Sequence, residues 1–182
     1  AAFEIADLVR SGRVSAFSSN YTLYGDLSRR MMETLAHFTP RIEVYSIDEA
    51  FLDLSGFSHR DMEEYGREIR AVVKKWTGLP ISVGIGETKV IAKVAQRLAK
   101  RSKKAAGVLN LAGSPHLASA LARTPVEDIW GIGRSHTKFL MRNGILTALD
   151  LRGAETVWVK KHMGIVGVRL VEELRGVSCL GI

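Results

Sequence analysis

Apolar residues recur along this chain at two different periods, and the change from one to the other divides it. From Tyr21 to Phe38, the residues Leu23, Leu27, Met31, Leu35 and Phe38 return at steps of four and three, the spacing of one face of an α-helix. Asn20 is placed to cap the start of that helix, and Pro40 lies just past its end. A second stripe, Met62, Tyr65, Ile69, Val72, Val73 and Trp76, predicts a helix over about 61–76. Glu63, Glu64, Glu68, Arg70, Lys74 and Lys75 then face water, and Gly78-Leu79-Pro80 stops it. A third helix is predicted from Thr88 to about Arg101. Ile81 to Gly86 alternates as a strand, and Gly107 to Leu111 reads as a short one. At the start, Phe3, Ile5, Ala6, Leu8 and Val9 suit a short helix ending at Gly12, with Val14 to Phe17 as a strand.

After about Gly113 the pattern turns all-helical. Ser114-Pro115 opens a helix, with Ser as cap and Pro at the first helical position. The turn Trp130-Gly131-Ile132-Gly133 leads into a helix through Phe139, Leu140 and Met141, which Asn143-Gly144 ends. Thr147 caps a short helix, and helical segments continue to Arg175. This order predicts an α+β fold: a sheet backed by helices over 1–113, then a small helical unit over 114–182, the two packed on each other.

Between the first two helices lies a different pattern. Ile42, Val44 and Tyr45 form one β-rich run, Ala50, Phe51, Leu52 and Leu54 another, and Ser46-Ile47-Asp48-Glu49 separates them. Two short strands with so little between them predict an antiparallel hairpin. Neighbouring carboxylates at a strand end are costly, because like charges repel and burial penalises each. On a regular strand they would point to opposite faces, but at a reversal both can aim at one cation. A hard divalent ion such as Mg²⁺ asks for that: oxygen ligands, few from protein, the rest from water and phosphates. A solvated turn is the bland alternative.

Composition adds limits. With 46% hydrophobic and 25% charged residues, the 182-residue chain has apolar mass enough for a core. No apolar run approaches the roughly 20 residues that span a bilayer, and the acidic opening Ala-Ala-Phe-Glu is unlike a secretory signal. One cysteine, Cys179, rules out an internal disulfide framework and suits a reducing cytoplasm. Residues 1–87 carry 10 Lys and Arg against 13 Asp and Glu, a balance of −3; residues 88–182 carry 16 against 6, a balance of +10. A polyanionic partner on one side of the molecule fits that asymmetry, as does a plain solubility surface.

Two basic features gain meaning from it. Lys89, Lys93, Gln96, Arg97 and Lys100 share one side of the third helix, opposite Val90, Ile91, Val94 and Leu98: a phosphate-neutralising face or a solvated one. Gly131 and Gly133 would let backbone N–H groups approach a phosphate at a helix start, with Arg134, Lys138 and Arg142 adding charge. Other chemistries find no footing. The five histidines lack ligand spacing, Gly84-Ile85-Gly86 lacks a third glycine, and Ser135-His136 lacks an acid. Trp76, Trp130 and Trp158 are expected in core or interdomain packing.

The stretch Tyr45-Ser46-Ile47-Asp48-Glu49-Ala50-Phe51-Leu52-Asp53 resembles the palm hairpin of the Y-family (translesion) DNA polymerases. Ser18-Ser19-Asn20-Tyr21 and Tyr24-Gly25-Asp26-Leu27-Ser28 are similar to its bacterial UmuC branch, and the resemblance covers essentially the whole chain. It implies a palm over 1–113, beginning with a remnant of the fingers junction, and a thumb over 114–182 containing a helix-hairpin-helix. By the same resemblance Asp48 and Glu49 are two of three metal-binding carboxylates, and Mg²⁺ is the cofactor. The third carboxylate, most of the fingers and the little finger would lie outside this chain, so its metal site is incomplete and the chain alone inactive. Lys100, in Leu98-Ala99-Lys100, matches a contact to the phosphates of the incoming nucleotide, with Lys93 a second candidate; Asp53 has no catalytic role. Gly131, Gly133, Arg134 and Lys138 would grip the DNA backbone. The implied partners are primer–template DNA, a deoxynucleoside triphosphate, a UmuD-type subunit, a recombinase filament and a sliding clamp, with no membrane. Two rivals stay open: a non-enzymatic helix-hairpin-helix DNA-binding module, and a nucleotidyl cyclase, which has a similar palm but no DNA-gripping thumb.

Overall fold

A computed structural model describes residues 2–182. A 3₁₀ turn, Ala2–Ile5, leads into helix α1, Ala6–Arg10, and the chain leaves it through Gly12. The strand expected over Val14 to Phe17 is absent: those residues join no sheet among the described residues, the Val14 N–H donating back to the Leu8 carbonyl at 3.2 Å, and Phe17 is exposed. An unpaired run of four gains nothing from its β-propensity, since the ladder and not the residue stabilises a strand.

Helix α2, Tyr21–Leu35, starts where Asn20 Oδ1 accepts the N–H of Leu23 at 3.0 Å. Helix α3, Met62–Thr77, is capped by Asp61, which accepts from the N–H groups of Glu63 and Glu64, and it ends at Gly78 in the left-handed region. The two helices bury Met31, Leu35, Tyr65, Ile69 and Val73 against each other. Tyr65 Oη donates to the Phe38 carbonyl at 2.6 Å, satisfying the one polar atom of that buried ring. Trp76 is not core, contrary to the stripe: it is 58% exposed and meets only the edge of His37.

Strands β1, Ile42–Val44, and β2, Ala50–Leu52, form the antiparallel hairpin, in register Val44 to Ala50. Strands β3, Val83–Ile85, and β4, Val108–Asn110, pair in parallel, joined by helix α4, Lys89–Arg101, with Thr88 as its cap. The single sheet expected from the element order is thus two small ones. Each of β2 and β3 is paired on one edge only, and both line one cavity of about 650 Å³. Helix α4 lies on β3 so closely that a Cβ at Gly84 would sit 2.1 Å from the amide nitrogen of Gln96.

The second half is helical: α5, Leu117–Ala122; a 3₁₀ turn, Val126–Asp128; α6, Arg134–Arg142; α7, Ala148–Gly153; and α8, Thr156–Arg175, broken at Gly164. Ser114-Pro115 lies in a turn before α5 rather than inside its first turn, with Ser114 Oγ accepting from the His116 N–H. Thr147 and Asp150 form a reciprocal capping box at α7. The core of this half does not stop at residue 113: Leu121, Leu140, Leu151 and Leu174 pack in one cluster with Val90, Ile91, Val94 and Ala95 of α4. Fully burying each such leucine is worth roughly 1.5–3 kcal/mol. Glu173 binds the same junction. Its fully buried carboxylate accepts from the N–H groups of Val90, Cys179 and Leu180, and its carbonyl accepts from Thr88 Oγ1. Among the described residues no helix is long and apolar enough to cross a membrane.

Candidate functional site

The hairpin turn is closed by the N–H groups of Tyr45 and Ser46, which both donate to the Glu49 carbonyl at 3.0 Å. That geometry consumes residues 45–49 in one reversal and turns both carboxylates, Asp48 and Glu49, onto the 650 Å³ cavity. Asp48 Oδ1 accepts from Ser46 Oγ at 2.8 Å, and Glu49 Oε1 meets Lys93 Nζ at 2.5 Å. Lys93 reaches the pair because α4 runs along the opposite wall of the cavity. Half-buried, this ion pair is screened less than a surface one.

These residues suit a hard divalent cation. The donors are the oxygens of two carboxylates, beside open volume that can hold waters and a polyphosphate. A cation, the ammonium of Lys93, already sits on Glu49. Among the described residues no group of three or more His, Cys, Asp and Glu is arranged around one point.

Asp53 also borders the cavity but is engaged. Hydrogen bonds from Ser55, helped by Arg41 at 2.8 Å, hold its carboxyl below the usual range. Lys89, which periodicity places on the basic side of α4 with Lys93 and Lys100, is buried at 8% exposure. It bonds Glu43 and the Gly181 carbonyl at 2.6 Å each and covers the Phe51 ring at 5.0 Å. Arg97 pairs with Asp128, and Arg101 approaches the same carboxylate at 3.6 Å. Lys100 is exposed and does not border the cavity; it lies two turns beyond Lys93 on the same side of α4. So the structure brings together Asp48, Glu49 and Lys93, and leaves Lys100 along the same line, roughly 10 Å further by helical rise.

The glycine turn packs beside α4, with Ile129 and Ile132 sharing a core cluster with Val90, Ile91 and Val94. Gly131 has a φ of 92°, Gly133 is the N-cap of α6, and Arg134 and Lys138 project from that helix without acidic partners among the described residues. Trp130, immediately before the turn, packs on Tyr45 and Phe51 of the hairpin. Sequence reasoning missed Glu43, Glu173 and this aromatic contact. Glu173 had no readable signal, since Glu172 beside it looks identical in a helical pattern and stays half-exposed.

A family model described as the impB/mucB/samB family matches residues 1–97. The protein UmuC of Salmonella typhimurium is 47% identical over 180 residues, which is 98% of this chain and 43% of that protein. A DNA polymerase IV of Moorella thermoacetica is 32% identical, over 87% of this chain and 39% of that protein. The chain therefore spans under half the length of these curated relatives. Among solved structures, DinB from Sulfolobus solfataricus superposes with a TM-score of 0.72 at 23% identity, covering 93% of this chain and 49% of that one. A Dbh ternary complex superposes at 0.74 and 23%, covering 94% and 51%. At that identity the superpositions establish a shared fold.

Proposed function

The chain belongs to the impB/mucB/samB family, and from that premise we propose that it is the palm and thumb of an error-prone translesion DNA polymerase. The observation that carries the reading is the convergence, on one cavity, of the hairpin's two carboxylates and a lysine of α4. The palm would be residues 1–113 and the thumb 114–182, the latter gripping duplex through a helix-hairpin-helix at Gly131 and Gly133. Asp48 and Glu49 would hold Mg²⁺ with a third carboxylate from a further strand, for which the cavity between the free edges of β2 and β3 has room.

The reaction joins the 3′-oxygen of a primer to the α-phosphorus of a deoxynucleoside triphosphate and breaks the α–β phosphoanhydride bond, releasing pyrophosphate and the hydroxyl proton. Mg²⁺ held by Asp48 and Glu49 would supply the charge that neutralises the triphosphate and lowers the cost of ionising the hydroxyl. The protein's own part is placement and charge. Lys93 exchanges its carboxylate for phosphate oxygen, and Lys100 supplies a second cation along the line of the triphosphate. Backbone N–H groups at the start of α6 hold a primer or template phosphate without reading bases. Likeness to UmuC extends the reading to damage tolerance in the cytoplasm, with a UmuD-type subunit, a recombinase filament and a sliding clamp as further partners.

Primer extension by the full-length protein that carries this chain tests it. Asp48→Ala is expected to abolish Mg²⁺-dependent extension while duplex binding persists; undiminished extension refutes the assignment. Duplex binding without any extension by the unmutated protein would leave the non-enzymatic module.

A further inference from the structure

We propose that Trp130 is a positioning residue that fixes the separation between the carboxylate hairpin and the glycine turn; this rests on the polymerase reading above. The indole Nε1–H donates to Tyr45 Oη at 3.0 Å, and the two rings meet edge to face at 5.3 Å and 80°. The same indole leans on Phe51 at 5.5 Å and 56°. Tyr45 and Phe51 flank the turn that presents Asp48 and Glu49, and Trp130 adjoins Gly131. The residue that opens the phosphate-facing turn therefore rests its side chain on the base of the metal-facing reversal.

Both ends are stiff. On the hairpin side the Tyr45 amide is tied to the Glu49 carbonyl, so its phenol and the carboxylates move as one turn. On the helical side the Ile132 N–H closes onto the Ile129 carbonyl at 3.0 Å around Trp130 and Gly131, and Gly133 starts α6. Other ties between the halves lie at α4 and its cap, where Arg97 pairs with Asp128, Thr88 bonds the Glu173 carbonyl, Glu173 holds Val90 and Lys89 bonds the Gly181 carbonyl, and at Arg41, which donates to the Ile182 carbonyl. Among the described residues, no other hydrogen bond or ion pair joins residues 42–52 to residues 114–176. A primer held at the glycine turn must deliver its 3′-oxygen to a nucleotide held at the carboxylates, and errors near 1 Å in such a placement lower rates steeply. The Trp130–Tyr45 bond is the direct strut across that gap.

The test uses the full-length protein, single-turnover incorporation of one nucleotide, duplex affinity and thermal melting. Tyr45→Phe and Trp130→Phe each remove the hydrogen bond while keeping an aromatic ring. Each is expected to lower the incorporation rate roughly tenfold with duplex affinity within about twofold of the original, and the double variant is expected to be no slower than either single one, because the same bond is lost. Trp76→Phe, at an exposed indole whose ring contact is His37, serves as the unchanged control. Full rate in Tyr45→Phe, losses that multiply in the double variant, or losses accounted for by the melting temperature or duplex affinity alone would each overturn the proposal. Asp48→Ala in the same assay separates the two levels. If it still extends primers the polymerase reading falls; if it is dead while Tyr45→Phe is unimpaired, only the strut falls.

Discussion

Lys93 and Glu49 show how a single residue's role changes with its partner. Their pairing compensates two charges at 20% and 36% side-chain exposure, so that neither is left uncompensated in a half-buried site. A polyphosphate with its counter-ion offers each of them a replacement of the right sign, so exchange leaves no orphan. Other carboxylates have settled partners and serve the fold. Asp150 receives the hydroxyl of Thr147 and the N–H groups of Leu146 and Thr147, which hold its pKa below the ordinary 3.8. A depressed folded value stabilises the native state above the unfolded pKa, and that contribution disappears as pH falls through the folded one. Thr147→Ala should therefore cost about 1 kcal/mol near neutrality, the usual worth of an N-cap. The stability difference between the original chain and Asp150→Asn should be present at pH 7 and vanish as pH drops below about 4. Urea melts across that range are the check; a difference constant with pH would show that the carboxylate's charge is idle.

At the scale of elements, the helices were legible and the sheet was not. Local rules set α2, α3 and α7: a periodic stripe, an Asn, Asp or Thr cap, a glycine or proline stop, each acting within a few residues. The β1–β2 hairpin, whose partners are a few residues apart, was legible; beyond it a strand depends on partners far along the chain, so Val14 to Phe17 read as β and joined no sheet, and one expected sheet became two pairs. The acid pair was legible for the opposite reason, because two adjacent carboxylates in a tight reversal are a strictly local oddity. The basic face of α4 was only half legible. Periodicity groups Lys89 with Lys93 and Lys100, but the acid that claims Lys89 stands 46 residues away. Gly84 belongs to this scale too. Its missing side chain had suggested nothing more than an incomplete dinucleotide loop, yet it is what lets α4 press on β3. A Cβ there would lie 2.1 Å from the Gln96 nitrogen and 2.2 Å from the Ala92 oxygen, both backbone, so nothing flexible can give way. Gly84→Ala is expected to cost at least 3 kcal/mol, on the order of a severe overpacking defect, and to separate α4 with its lysine from the hairpin. Gly25→Ala, inside α2 with open space around its Cβ, should instead gain up to about 1 kcal/mol. Thermal melting of the two variants side by side decides it, and equal melting temperatures would contradict the close packing.

For the whole molecule, the charge imbalance becomes a statement about availability. Cations of the first half are mostly spoken for: Arg10, Arg29, Arg30, Arg41, Arg60 and Arg67 all sit on acids. In the second half Lys100, Lys103, Lys104, Arg134, Lys138, Arg142, Lys160, Lys161 and Arg169 have no acidic partner among the described residues, because only 6 acids accompany 16 bases there. An unpaired cation costs nothing to present to a polyanion, whereas a paired one must first give up its acid. A duplex bound to this half should thus release counter-ions in proportion to the phosphates neutralised, and affinity should fall linearly on a double-logarithmic salt plot. Arg134→Ala and Lys138→Ala are each expected to weaken binding alike for every duplex sequence and to flatten that slope by about 1. Lys75→Ala, which removes an unpaired cation of the first half, should leave it unaltered. Filter-binding titrations of the 182-residue chain at several salt concentrations measure all three. A slope that Arg134→Ala and Lys138→Ala leave in place would move the grip away from α6, and an affinity indifferent to salt would take it off the nucleic-acid backbone altogether.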